Sequence, residues 1–112
     1  MTPTELFAGV PVRDRDAAFA WYERLFGAPP DFRPHDDEAV WRVAGGWIYV
    51  VVDAGRAGNA LCTVLVDDLD AHLAALAARG IAVARVETYG SGARKAVVAD
   101  PDGNEIGFGQ AG

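Results

Sequence analysis

The sequence contains a single cysteine, Cys62. One thiol closes no internal disulfide and makes no metal motif, so its expected place is as a small, buried, apolar residue on a strand. Long apolar runs are missing too. No stretch approaches the roughly 20 residues that a membrane helix requires. No basic segment followed by an apolar one opens the chain, so no export signal is read there and the expected location is the cytoplasm. Positive charge is scarce: Lys and Arg total 10 against 16 Asp and Glu, a net charge of −6. That balance argues against nucleic acid or an anionic membrane as partner and mildly favours a cationic ligand. There is no G-x-S-x-G, no Walker loop and no dinucleotide fingerprint. Gly103, Gly107 and Gly109 fall on a turn and a strand, where they cradle no phosphate.

What is present fits one domain over residues 1–112, with 51% apolar and 23% charged residues. The organising stretch is Val12 to Gly27. Asp14 and Asp16 carry carboxylates that accept bonds from free N–H groups of a first helical turn. Ala18, Trp21, Tyr22 and Leu25 then form one apolar stripe. Gly27 is a natural stop, because it takes positive φ without a Cβ clash. The unit recurs 54 residues later. Val66, Asp68, Asp70, Ala71, Leu73 and Leu76 repeat Val12, Asp14, Asp16, Ala17, Phe19 and Tyr22, and Gly80 repeats Gly27 one position early. The chain reads as a tandem duplication, with module one at about 1–53 and module two at about 60–112.

Alternation places Ala8, Val10 and Val12 on one face of a first strand over Glu5–Val12 and Phe7, Gly9 and Pro11 on the other. Pro11 restricts that strand to an edge or a wide position. Phe32–Asp37 reads as either a short strand or a loop. Glu38–Ala44 and Trp47–Asp53 form a hairpin about Gly45-Gly46. Ala44 then faces Trp47, Arg42 faces Tyr49, and Val40 faces Val51. The opposite face, with Trp41, Val43, Ile48, Val50 and Val52, is more apolar and should meet the helix. After the polar link Asp53–Asn59, the strand Ala60–Val66 is apolar on both sides and is expected to be buried on both. A second helix covers about Asp70–Arg79, with Leu69, Leu73 and Leu76 inward. Strands at Ala82–Thr88, Lys95–Ala99 and Glu105–Gln110 follow, the last two joined by the turn signal Asp100-Pro101-Asp102-Gly103-Asn104. The order is βαβββ, twice.

These residues resemble the vicinal oxygen chelate superfamily of glyoxalase I, extradiol dioxygenases and bleomycin-resistance proteins. The carriers are V-x-V-x-D at Val10, Val12 and Asp14, the helix residues Trp21, Tyr22, Leu25 and Gly27, V-D-D-L-D at 66–70, and above all D-P-D-G-N at 100–104. The resemblance implies an α+β fold in which tandem βαβββ modules form a curved, barrel-like mixed sheet with helices outside, and it implies a homodimer. It also implies four metal-ligand positions on cavity strands. Carried onto this chain they fall at Phe7, Leu61, Gly107, and Tyr49 or Val51. None is His, Gln, Asp or Glu, and ions such as Mg²⁺, Fe²⁺ or Zn²⁺ need fixed oxygen, nitrogen or thiolate donors. No metal and no cofactor is therefore expected, and no catalytic residue is assigned.

Parity gives a cavity-facing set that is apolar and aromatic, which suits a small-molecule pocket. Phe7, Arg42, Trp47, Tyr49, Val51, Leu61, Thr63 and Glu105 are the candidate ligand-binding residues. Trp47 and Tyr49 suit stacking on a planar or cationic ligand, and Arg42 and Glu105 are placed to orient one or to pair with each other. The expected function is metal-free binding of an aromatic or cationic small molecule, such as an antibiotic. Two other readings compete: an enzyme, with Glu105 as a base of raised pKa or with a displaced metal site at His35, and a degenerate module whose cavity is filled. His35 otherwise belongs to a solvated turn, and His72 reads as an exposed helix residue without a role.

Overall fold

A computed structural model describes residues 1–112. Module one contains β1 (Phe7–Val12), α1 (Arg15–Phe26), β2 (Phe32–His35), β3 (Glu38–Val43) and β4 (Gly46–Val52). Module two repeats the order with β5 (Leu61–Leu65), α2 (Leu69–Ala78), β6 (Arg85–Thr88), β7 (Arg94–Ala99) and β8 (Glu105–Gln110).

Both helices begin as the repeat predicts. The Asp14 carboxylate accepts from Ala17 N–H at 3.1 Å, and the Asp68 carboxylate accepts from Ala71 N–H at 3.0 Å. Each satisfies one of the donors that a first turn leaves free. Gly27 closes α1 in the left-handed region, with φ 70°. The C-cap of α2, Arg79, does a second job: its guanidinium donates to the carbonyls of Arg24 and Leu25 at the C-terminal end of α1. A cation there also complements the helix dipole.

The strands form two four-stranded mixed sheets, ordered β1-β4-β3-β2 and β5-β8-β7-β6. In each, the first strand pairs in parallel with the last, and the other pairs are antiparallel. This corrects the barrel-like curved sheet expected from the resemblance. No ladder joins the two sheets. The edge strands β1 and β5 pair only with β4 and β8, so neither sheet closes or curls onto the other. The period-2 pattern identifies which residues share a face, but closure depends on hydrogen bonds between edges that no local pattern encodes. Pro11 sits on such an edge strand, where its missing N–H leaves no ladder bond unmade.

The β3–β4 hairpin differs in register from the expectation. Val43 pairs with Gly46, Arg42 with Trp47 and Val40 with Tyr49. The two-residue loop is therefore Ala44-Gly45 rather than Gly45-Gly46, and its left-handed residue is Ala44, at φ 53°. A shift of one residue on each strand preserves parity, so every side chain keeps its face. Phe32–His35, ambiguous in the sequence, is a short strand whose residues are all exposed.

One core joins the two modules. It takes Val10, Val12, Tyr22, Leu25, Trp41, Ile48 and Val50 from the first and Leu69, Leu76, Ile81, Val98, Ile106 and Phe108 from the second. In the helix-facing rows of β3 and β4, Trp41, Ile48 and Val50 are buried and Val43 and Val52 are partly buried against the core. The indole of Trp41 is buried with its N–H donated to Ala28 O at 3.0 Å, so no polar group is stranded.

The D-P-D-G-N segment fastens the modules together. Asp100 and Asn104 are the two buried polar residues of the chain. Asp100 Oδ1 accepts from the N–H groups of Asp102 and Asn104, while Oδ2 accepts from Tyr22 O–H and Asn104 Nδ2, each at 2.8 Å. Asn104 Nδ2 also donates to Pro11 O, and its Oδ1 accepts from the N–H groups of Gly58 and Ala60. Helix α1, strand β1, the linker and the β7–β8 turn thus meet on two side chains. Burial, and then the Asp100 charge, drive the Tyr22 hydroxyl pKa upward, so it stays a donor.

Candidate functional site

The faces turned away from the helices carry the candidate residues. On the first sheet, the register aligns Phe7, Trp47 and Arg42 in one row across β1, β4 and β3, with Gly9, Tyr49 and Val40 in the next. Phe7 stacks on Trp47, with ring centroids 5.6 Å apart and planes 9° apart. The Arg42 guanidinium lies over the same indole, 4.7 Å from its centroid. Phe32 meets Trp47 edge-on at 5.6 Å, and Glu5 Oε2 accepts its indole N–H at 3.0 Å. Gly9 makes room for the next row. A Cβ there would lie 2.5 Å from the Tyr49 ring, so the tyrosine occupies the space that a larger residue would need. Tyr49 and Val51 line a hollow of about 270 Å³ with Gly9, Pro11, Asp53 and Arg56.

On the second sheet, Leu61 pairs with Glu105, and Thr63 with Gly107. The expectation that both faces of β5 are buried fails: Leu61 is 80% exposed and Leu65 73% exposed. The strand is apolar on both sides because its sequence suits cover on both sides, yet within one chain only Cys62 and Val64 face the core. Burial raises the Cys62 thiol pKa.

Glu105 pairs with Arg85 and not with Arg42. Its carboxylate takes two bonds from Arg85, at 2.9 and 3.4 Å. Arg85 also reaches Glu87, which accepts from the Tyr89 hydroxyl and lies 3.7 Å from the Lys95 ammonium. The reading of Glu105 as a base of raised pKa is therefore overturned. The hydrogen bond from Arg85 holds it below the ordinary carboxylate range, which weakens it as a proton acceptor. Tyr89, followed by Arg85, lowers Glu87 in the same way. Arg85, Glu87 and Lys95 were missed because the outward row of β6 and β7 becomes visible only once those strands are paired. Phe32 and Glu5 are not legible as site residues in the sequence, because Phe32–Asp37 fits a strand or a loop equally and Glu5, which alternation puts within the first strand, precedes β1.

The largest concavity next to these residues has a volume of about 430 Å³. Leu6, Ala8, Trp47 and Ile48 line it from the first module, and Leu61, Cys62, Thr63 and Leu65 from the second. A smaller niche of about 150 Å³ shares Leu61, Cys62 and Thr63 with it and continues to Glu105, Arg85 and Lys95. The eight candidates thus divide. Trp47, Leu61 and Thr63 meet at the main cleft, with Phe7 and Arg42 packed on Trp47. Glu105 lies at the niche, and Tyr49 and Val51 lie at the separate hollow.

The four positions implied as metal ligands do not suit a metal. Phe7, Leu61, Gly107 and Val51 have no side-chain donor, Tyr49, the alternative to Val51, offers only a phenol hydroxyl, and Gly107 is covered by the Lys95 stem and the Thr63 hydroxyl. No group of three or more His, Cys, Asp or Glu side chains converges anywhere in the structure. His35, offered as the seed of a displaced metal site, instead accepts from Asp37 N–H at 3.2 Å and faces Glu38 at 3.4 Å on an exposed turn. His72, expected to be exposed, is half-buried. Its ring packs on Phe108 with centroids 4.3 Å apart, and its Nε2 is buried without a partner. Burial, with Arg79 nearby, lowers its pKa. No helix is long and apolar enough to cross a membrane.

Residues 6–108 match the profile of the Glyoxalase/Bleomycin resistance protein/Dioxygenase superfamily. A crystal structure described as glyoxalase / bleomycin resistance protein, from Catenulispora acidiphila, is 48% identical, with a TM-score of 0.93 over 98% of this chain and 100% of that one. An antibiotic binding protein from Streptomyces sp. CB03234 is 26% identical, with a TM-score of 0.76 over 99% and 98%. A lactoylglutathione lyase from Agrobacterium tumefaciens shares the fold, at 18% identity and a TM-score of 0.80 over 98% and 95%. No curated protein matches the sequence.

Proposed function

The chain belongs to the glyoxalase/bleomycin resistance protein/dioxygenase superfamily, and from that premise we propose that it is a metal-free binding protein for a small aromatic or cationic molecule, such as an antibiotic. One observation carries the reading. The 430 Å³ cleft is bounded mainly by apolar side chains, while the positions implied as metal ligands carry no carboxylate, imidazole or thiol and no such groups converge elsewhere. That volume falls within the usual range for small-molecule sites, roughly 300–1,000 Å³. The likeness to an antibiotic binding protein agrees with it. Trp47, Leu61 and Thr63 are the proposed contacts at the main cleft, with Phe7 and Arg42 packed on Trp47 beside it, Glu105 at the charged niche, and Tyr49 and Val51 at the separate hollow. We also propose that the protein works as a cytoplasmic homodimer. Exposed Phe7, Leu61 and Leu65 would then gain cover from a second copy, because apolar rows of this kind mark interaction surfaces.

Calorimetric titration with bleomycin and a panel of planar aromatic cations tests the reading, alongside elemental analysis after incubation with Ni²⁺, Zn²⁺ or Mn²⁺. Saturable binding that Trp47→Ala weakens roughly tenfold, the factor for about 1.4 kcal/mol of lost aromatic contact, is expected. Tightly held stoichiometric metal, or no binding across the panel, overturns it.

A further inference from the structure

We propose that Arg42 is a built-in occupant of a cation site on Trp47, and that the ligand's own planar or quaternary cationic group displaces it. The inference rests on the binding reading above and names the ligand chemistry. Strand order puts Trp47 between its two neighbours, because β4 lies between β1 and β3. Phe7 from β1 therefore covers one face of the indole, and Arg42 from β3 covers the other. Phe32 closes an edge, and Glu5 fixes the indole N–H. Three of these contacts hold the ring in place. The fourth is of a different kind.

The Arg42 side chain is exposed, makes no hydrogen bond and has no carboxylate within 4.0 Å. Most arginines here are engaged otherwise: those at 13, 15, 56, 85 and 94 pair with carboxylates, and those at 33 and 79 bond to carbonyls. The indole face is thus the only partner of the Arg42 guanidinium. An indole face attracts a cation through its quadrupole, weakly when the site is exposed. A tethered cation held this loosely yields to a competing planar cation at the same indole face; within this aromatic cluster only Trp47 also borders the cleft. An anion binding to the free guanidinium is disfavoured by Glu5 at the indole edge, by Asp31, which accepts the Arg42 backbone N–H, and by the net charge of −6.

The test compares N-methylquinolinium with neutral quinoline at pH 8, two probes of nearly equal shape, against wild type, Arg42→Ala, Trp47→Leu and the double variant. Because Arg42 is exposed, near-UV circular dichroism of Arg42→Ala should report an intact fold. Removing Arg42 should tighten N-methylquinolinium about two- to fivefold, the factor for an exposed cation–π contact, and should tighten quinoline less. The gain should vanish in the double variant. Equal or weaker binding of the cation to Arg42→Ala, an equal gain for quinoline, or a gain that survives Trp47→Leu overturns the assignment. These outcomes are separate from the antibiotic titration. Wild type that binds antibiotic while Arg42→Ala shows no cation gain keeps the function and removes Arg42 from it. A cation gain without antibiotic binding keeps the site and removes that function.

Discussion

Replacing Tyr22 with Phe probes the joint between the modules with the loss of one oxygen. The Tyr22 side chain is fully buried, and its hydroxyl donates to Asp100 Oδ2 at 2.8 Å. In the variant that oxygen keeps only Asn104 Nδ2, while Oδ1 keeps its two backbone donors. A hydrogen bond to a charged acceptor contributes about 1.5–3 kcal/mol. With a urea slope of about 1.5 kcal/mol per molar, the midpoint should fall by about 1–2 M at unchanged slope.

The same hydroxyl carries a pH signature of opposite sign. Its folded-state pKa is raised, by burial first and the Asp100 charge second. Its contribution is therefore full below the unfolded tyrosine value of about 10 and is lost as pH rises above it, because the unfolded chain ionises while the folded one cannot. The loss runs at about 1.4 kcal/mol per pH unit, and the Tyr22→Phe variant, with no hydroxyl at that position, escapes it. The stability gap between wild type and Tyr22→Phe should therefore narrow by about 1.4 kcal/mol between about pH 8 and about pH 11. A midpoint shift equivalent to less than about 0.5 kcal/mol, or a gap that stays constant across that range, would refute the account of this joint.

His72 supplies the acid counterpart. Its lowered folded pKa, caused by burial and then by Arg79, means that its contribution is present above the unfolded value of about 6.5 and is lost as pH falls below it. Thermal denaturation of His72→Leu should show a shallower loss of Tm on acidification than wild type, and parallel profiles would contradict this. Gly58→Ala should destabilise by about 2 kcal/mol or more, measured by urea unfolding. The residue sits at φ 98°, and an added Cβ would lie 2.7 Å from Asp102 O. A neutral substitution would show that the linker is free of the turn beside it.

Much of this molecule is local and was readable without coordinates. Asp14, Asp68 and Gly27 cap their helices because a carboxylate before a first turn and a residue without Cβ after a last one meet needs internal to each helix. Parity assigned the rows of β1, β3, β4, β5 and β8 to their faces, and even the slipped β3–β4 register left those faces unchanged. The missing carboxylate, imidazole and thiolate donors at Phe7, Leu61, Gly107, and Tyr49 or Val51 are a property of residue type alone. What the chain order could not state was which side chains from distant elements would meet. Arg85 took the carboxylate of Glu105, and Arg42 settled on Trp47. His72 was drawn in against Phe108, and two sheets stood apart where one curved sheet was expected. A strand's sequence sets its alternation, but whether the outward row is covered depends on long-range packing, so β5 could be apolar on both faces and covered on one.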